Sequence, residues 1–304
     1  MFTATLIAAD RLEAGDISAG LDRLRAAGCA PATGGWIEEG VAADLFFGMV
    51  PDAARGTLED AFAGTDVVVQ PVATRMKAVL VADMDSTMIT VECIDELADY
   101  AGIKPEIAAI TERAMRGELD FEAALDARVA LLAGLDEAVI ERCLAERVRV
   151  TPGAEALVRT MRARGALCVL VSGGFTRFAE PVATTIGFKR AVANVLEING
   201  GRLTGRVARP IVGADRKERE LERAAAEMGV GTESCLVVGD GANDLPMIRR
   251  AGLGVAYHAK PVVAASAGAR IEHGDLSALL YVQGLARADW AADRTATVAV
   301  RASS

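Results

Sequence analysis

A chain of 304 residues, 52% of them hydrophobic, can bury a sizeable core, and its length suits one large domain with a smaller companion. A formal net charge of −9 argues against a nucleic-acid or anionic-membrane partner, so an anionic substrate would have to be attracted by local positive groups. Five widely spaced cysteines (Cys29, Cys93, Cys143, Cys168, Cys235) suggest neither a disulfide framework nor a zinc site; with no apolar run of bilayer length and no leader-like N-terminus, the composition predicts a soluble cytoplasmic enzyme.

Residues 1 to about 74 alternate short strand-like and helix-like pieces: FTATLIAA, ISAGLDRLRAAG, TGGWIEE, ADLFFGMV, DAARGTLEDAFAG and DVVVQPV. The order β-α-β-β-α-β predicts a small ferredoxin-like α+β unit, an antiparallel sheet with two helices on one face. It carries no acid–base or metal cluster. It reads either as a regulatory or dimerising module resembling an amino-acid-binding ACT domain, which would make the chain a homodimer, or as a structural appendage. Pro71 to Arg75 is the expected linker.

The stretch KAVLVADMDSTMIT, residues 77–90, follows. Five apolar residues running straight into Asp-Met-Asp-Ser-Thr predict a doubly buried parallel strand that ends in a carboxylate pair. Side chains alternate along a strand, so Asp83 and Asp85 leave it toward the same side and can share a metal. In open α/β sheets the crevice beyond the carboxyl ends of the strands is where ligands bind. On its own, Asp-x-Asp-Ser is equally compatible with a solvated turn that caps a helix.

From about 91 to 147 come four segments with apolar residues at three and four spacing, VECIDELADYAG, KPEIAAITERAMRG, LDFEAALDARVALLAG and LDEAVIERCLAERV, a helical cap inserted just after the first strand. Then GAEALVRTMRARG, ALCVLVSGG, TRFAEPVATTIG and SCLVVGDGANDLPMIRRAG alternate helix and all-apolar strand, which predicts a Rossmann-like, doubly wound parallel sheet. Between them RAVANVLEINGGRLTGRVARPIV alternates around Asn199-Gly200-Gly201 and reads as a hairpin. The larger unit is bounded at 75–285, and the small, polar residues 286–304 read as a fraying tail.

Three later stations accompany Asp83 and Asp85. Ser172-Gly173-Gly174 follows a buried strand, and its hydroxyl and exposed N–H groups suit an anion. Lys217 opens the helix DRKERELERAAAEMG. The strand LVVG ends in Asp240-Gly241-Ala242-Asn243-Asp244, where Asp240 and Asp244 look like hard-cation ligands. Each station alone is an ordinary turn or a solvated helix charge; in this order they are far more specific.

This ordered set resembles the haloacid dehalogenase-like phosphatases over essentially all of residues 77–283. Within them the cap resembles that of the phosphoserine phosphatases: Glu92, the run Ala114-Met115-Arg116-Gly117-Glu118-Leu119-Asp120-Phe121, and Arg128 stand where that family reads its substrate, and Asp-x-Asp-Ser-Thr replaces the Asp-x-Asp-Gly-Thr common elsewhere. The resemblance implies Mg²⁺-dependent hydrolysis of O-phospho-L-serine, the last step of serine biosynthesis. In chemical terms Asp83 attacks phosphorus, and Asp85 protonates the leaving alkoxide and later deprotonates water. Mg²⁺ would be bound by Asp83, Asp240 and the backbone carbonyl of Asp85. Ser172, Gly173, Lys217 and Asn243 hold the phosphoryl group. Glu92 would pair the substrate ammonium and Arg128 its carboxylate, with Met115 and Phe121 excluding water. Without the resemblance, these cap residues read as helix-face charges and core packing. The competing readings are another small-molecule phosphatase or phosphotransferase, and a non-catalytic serine sensor.

Overall fold

The computed structural model describes residues 1–115 and 118–291. Its first part is β1 (Phe2–Ala8), α1 (Ala14–Ala26), β2 (Pro31–Glu38), β3 (Ala42–Phe47), α2 (Pro51–Leu58) and β4 (Thr65–Pro71). The strands form an antiparallel sheet in the order β2-β3-β1-β4, the ferredoxin-like arrangement. Period-two alternation splits β1 between two environments. Ala4 and Leu6 pack with Leu24, Leu45, Phe47 and Leu58, whereas Ile7 joins the core of the larger unit.

Arg75, within the expected linker, is held tightly. Its guanidinium clasps Asp44 through two bonds of 2.6 and 2.8 Å and donates to the carbonyls of Tyr281 and Val282. Thr3 and Thr5 donate to the same carboxylate. Asp66 accepts the N–H groups of Glu272, His273 and Gly274. Removing one partner of such a buried pair costs about 3 to 5 kcal/mol, so these bonds fix the small sheet against the larger unit.

The larger unit continues with β5 (Val79–Ala82), α3 (Cys93–Ala101), α4 (Lys104–Met115), α5 (Phe121–Ala130), α6 (Ala138–Glu146), α7 (Ala154–Ala163), β6 (Leu167–Phe175), α8 (Thr176–Ile186) and β7 (Arg190–Asn194). After these come β8 (Leu196–Asn199), β9 (Arg202–Val207), α9 (Ala214–Glu227), β10 (Cys235–Gly239), α10 (Leu245–Arg250), β11 (Leu253–Tyr257), α11 (Pro261–Ala264), β12 (Ala269–Ile271) and α12 (Ala278–Val282). Six strands form a parallel sheet in the order β12-β11-β10-β5-β6-β7. All four residues of β5 are fully buried, Leu80 and Ala82 in one core and Val79 and Val81 in the other. A strand covered on both faces is therefore apolar throughout.

The segment expected to be one hairpin divides. RAVAN is β7, the edge of the parallel sheet; only β8 and β9 form the hairpin about Gly200 and Gly201, both at positive φ. That hairpin bonds to the cap, Gly134 N–H to Leu203 O and Glu137 N–H to Gly201 O. At the other end Trp290 packs at a tilt against Tyr281 and donates to Leu285 O, while residues 292–304 of the expected tail lie outside the described residues.

Candidate active site

Strand register brings the stations together. Ala82 is level with Val238 on one side and with Leu170 on the other, so Asp83, Asp240 and Ser172 emerge within two residues of one line at the carboxyl edge of the sheet. This is the switch point, because the chain runs from β5 outward to β6 and β7, then returns to β10 on the opposite side of β5.

Asp83, Asp240 and Asp244 each offer a carboxylate oxygen within 4.8 Å of the others. Lys217, fully buried, reaches Asp83 at 2.6 Å and Asp244 at 2.7 Å. Burial works against its charge, but the two carboxylates outweigh that and hold the ammonium above its ordinary range. Burial and the negative charge of Asp244 push the Asp83 carboxyl well up against the pull of Lys217. Asp240 is raised to about 6, again by burial first and then by Asp244. Three carboxylates face one ammonium, and this excess of hard oxygen donors fits a divalent cation.

The Asp85 side chain is not part of that group. Its Oδ1 accepts the Cys93 N–H at 2.9 Å and its Oδ2 the Ser172 hydroxyl at 3.2 Å. Burial raises its pKa against both bonds. Ser172 Oγ in turn accepts the Gly174 N–H at 2.8 Å. A Cβ on Gly174 would lie 2.6 Å from Asp85 Oδ2, so only glycine lets the loop pass this close.

Ser86 has φ +53°, a left-handed conformation that suits glycine, and its hydroxyl donates to Glu92 at 2.7 Å. Serine thus accepts backbone strain and gains a hold on Glu92. Glu92 stands at the N-cap of α3, just before its first residue, and its carboxyl, desolvated and near Asp85, is pushed up to about 7. Arg128 on α5 is half-buried, bonded by Nε to Ala124 O, and feels the charges of Asp95, Glu92 and Asp85; burial lowers its pKa. Phe121 opens α5, which Asp120 caps through the Ala123 N–H. Its ring stands over Gly173 and Gly213, where an added Cβ would come within 3.0 and 3.3 Å of it. The Asn243 amide also borders Gly173. Met115 ends α4; its side chain, with Arg116 and Gly117, lies outside the described residues.

Some supporting groups had no assigned role in the sequence. Thr87, fully buried, donates to Asp240 at 3.0 Å. Asp244, expected as a cation ligand, also anchors Lys217 and accepts the Gly241 N–H. Thr87 belongs to the Asp-x-Asp-Ser-Thr run, which was the available signal; the Cys93 main chain offered none.

The model of a family described as haloacid dehalogenase-like hydrolase matches residues 80–249. A phosphoserine phosphatase of Streptomyces coelicolor is 47% identical over 231 residues, 75% of this chain, and the match spans only 56% of that relative's length. One of Albidiferax ferrireducens is 48% identical over 204 residues, 65% of this chain and 86% of the relative. The solved structure of a probable phosphoserine phosphatase from Vibrio cholerae, in unliganded form, is 31% identical, with a TM-score of 0.75 over 94% of this chain and 88% of that one.

Proposed function

Because the chain belongs to the haloacid dehalogenase-like hydrolases, we propose that it hydrolyses O-phospho-L-serine to serine and phosphate through a phosphoaspartate on Asp83. The observation that carries the substrate is the presence near Asp85 of one carboxylate, Glu92, held by the Ser86 hydroxyl, and one guanidinium, Arg128, held on α5 by Ala124 O. Together they complement the ammonium and carboxylate of an amino acid whose side chain carries the ester.

In the first step an Asp83 oxygen attacks phosphorus, the bond to the serine oxygen breaks, and Asp85 supplies the proton to that oxygen. In the second, Asp85 takes a proton from the water that attacks phosphorus, the bond to the Asp83 oxygen breaks, and phosphate leaves with the Asp83 carboxylate restored. Ser172, the N–H near Gly173, Lys217 and Asn243 hold the phosphoryl oxygens, and Phe121 covers them from the cap. Asp83, Asp240 and the main-chain carbonyl of Asp85 are the residues we assign to Mg²⁺, with Asp244 beside them. When bound, that ion offsets the repulsion between the nucleophile and the phosphate dianion.

We read residues 1–74 as a regulatory or dimerising unit and 75–285 as the phosphatase unit, with its cap at about 91–147. Among the described residues no helix is long and apolar enough to cross a membrane. The five cysteines are free and buried, which fits the reducing cytoplasm.

A panel of phosphomonoesters assayed with Mg²⁺ or with EDTA tests the function. Phosphate should be released fastest from phosphoserine, only with the ion, and at a rate that added homoserine does not divert into transfer. Preference for another ester, or transfer to the alcohol, overturns the assignment.

The cap is tested through Arg128. Leaving the substrate carboxylate unpaired costs about 2 to 5 kcal/mol, so Arg128→Ala should lower kcat/KM for phosphoserine by roughly 30-fold or more. Phosphoethanolamine lacks that carboxylate, so it should be a poor substrate and nearly indifferent to the change. Equal losses on both esters would make Arg128 a structural or phosphate-binding residue.

A further inference from the structure

Asn194, the last residue of β7, takes no part in the chemistry above, yet it is only 2% exposed and its amide bonds to two other segments. Nδ2 donates to Gly173 O at 2.8 Å and, at 3.5 Å, to Val212 O. Oδ1 accepts the Val212 N–H at 2.7 Å. Both segments carry assigned groups. Gly173 lies in the Ser172–Gly174 loop, and Val212 precedes Gly213, the residue that caps α9, whose carbonyl accepts the Lys217 N–H.

Backbone geometry explains why a side chain is needed here. β6 and β7 pair regularly as far as Val171, then slip register before Phe175 meets Asn194. The loop that leaves Ser172 and Gly173 facing the site is therefore the part of β6 that has lost its ladder partners on this side, and the Asn194 amide replaces one of them. The same amide ties that loop to the start of the Lys217 helix. Phe121 of the cap rests on Gly173 and Gly213, one residue from each side of this clamp.

We propose that Asn194 is a positioning residue, which fixes the spacing between the Ser172–Gly174 loop and the start of α9 and thereby sets the seat on which Phe121 closes. This rests on Ser172, Gly173 and Lys217 being the groups that hold the phosphoryl oxygens. Without the amide, the Val212 N–H and the Gly173 carbonyl lose a buried partner and the two segments are free to drift apart. Misplacement by about 1 Å can cost roughly 100-fold in rate even when the altered residue is remote from the chemistry.

The test compares Asn194→Ala, Asn194→Asp, Phe121→Ala and the Asn194→Ala/Phe121→Ala pair with the parent, each well below its own Tm. Kinetics are read on phosphoserine and on nitrophenyl phosphate, and affinity for inorganic phosphate with Mg²⁺ is read by calorimetry. Asn194→Ala should weaken phosphate binding and lower kcat/KM at least about tenfold, and its loss should shrink in the Phe121→Ala background because no ring remains to be seated. Asn194→Asp keeps the volume and the acceptor for Val212 but loses the donor to Gly173, so it should show losses in the same direction even if the alanine variant does not fold. Values within twofold of the parent for folded Asn194→Asp, or losses that simply multiply in the double variant, overturn the proposal. Failure of the parent on phosphoserine, with turnover of nitrophenyl phosphate intact, would count against the substrate alone, and the nitrophenyl and calorimetric arms would still decide the role of Asn194.

Discussion

Asp83→Asn should abolish phosphate release and leave the protein folded. The amide matches the carboxylate in shape but lacks a nucleophilic oxygen anion and is a poorer ligand for a hard cation. Deleting the nucleophile of a covalent mechanism costs on the order of 10⁶-fold, which in practice means turnover below detection. The fold should survive, because Lys217 keeps its 2.7 Å bond to Asp244 and the variant buries one charge fewer. Burial and the charge of Asp244 already disfavour the ionised form of Asp83, so its loss removes a desolvation cost along with an ion pair. The checks are phosphate release, covalent trapping by beryllofluoride, and a thermal melt. A variant that turns over normally would remove Asp83 from the role of nucleophile.

What could be read in advance divides by range. The alternation of all-apolar strands with helices and the four acidic, hydroxyl and lysine stations depend on local pattern, and they yield the parallel sheet and its switch point. The contacts that hold the stations depend on residues far apart in the chain. Thr87 bonds to Asp240 across 153 positions and Ser172 to Asp85 across 87, and the tie between the two units, Arg75 to Asp44, spans 31. No periodicity announces these pairs. The division of RAVAN from the hairpin after it was hidden for a related reason: an alternating edge strand and an alternating hairpin strand look alike, and only the parallel pairing of Val169 with Arg190 separates them. Residues 252–285 were equally opaque, since β12 is three residues long and gives no period to detect.

Asp85→Asn should slow turnover by roughly 10²- to 10⁴-fold, the range that general acid–base catalysis supplies. The argument begins with the two bonds at its carboxylate. Oδ1 accepts the Cys93 N–H and Oδ2 accepts the Ser172 hydroxyl. An asparagine can keep the first through its carbonyl and donate to Ser172 Oγ with its NH₂, so the loop should hold its shape. The variant loses a group that can be protonated when the ester oxygen departs and ionised when water attacks. Burial raises the pKa of Asp85, which favours the protonated acid in the first step. Nitrophenolate needs far less help to leave than a serine alkoxide does, so the first step of nitrophenyl phosphate turnover should suffer much less. Dephosphorylation is common to both esters and should slow equally. Pre-steady-state bursts separate the two steps: a large loss in the phosphoserine burst beside a small one in the nitrophenolate burst is the expected pattern. Equal loss in both bursts would mean that Asp85 positions Ser172 and Cys93 without delivering the proton.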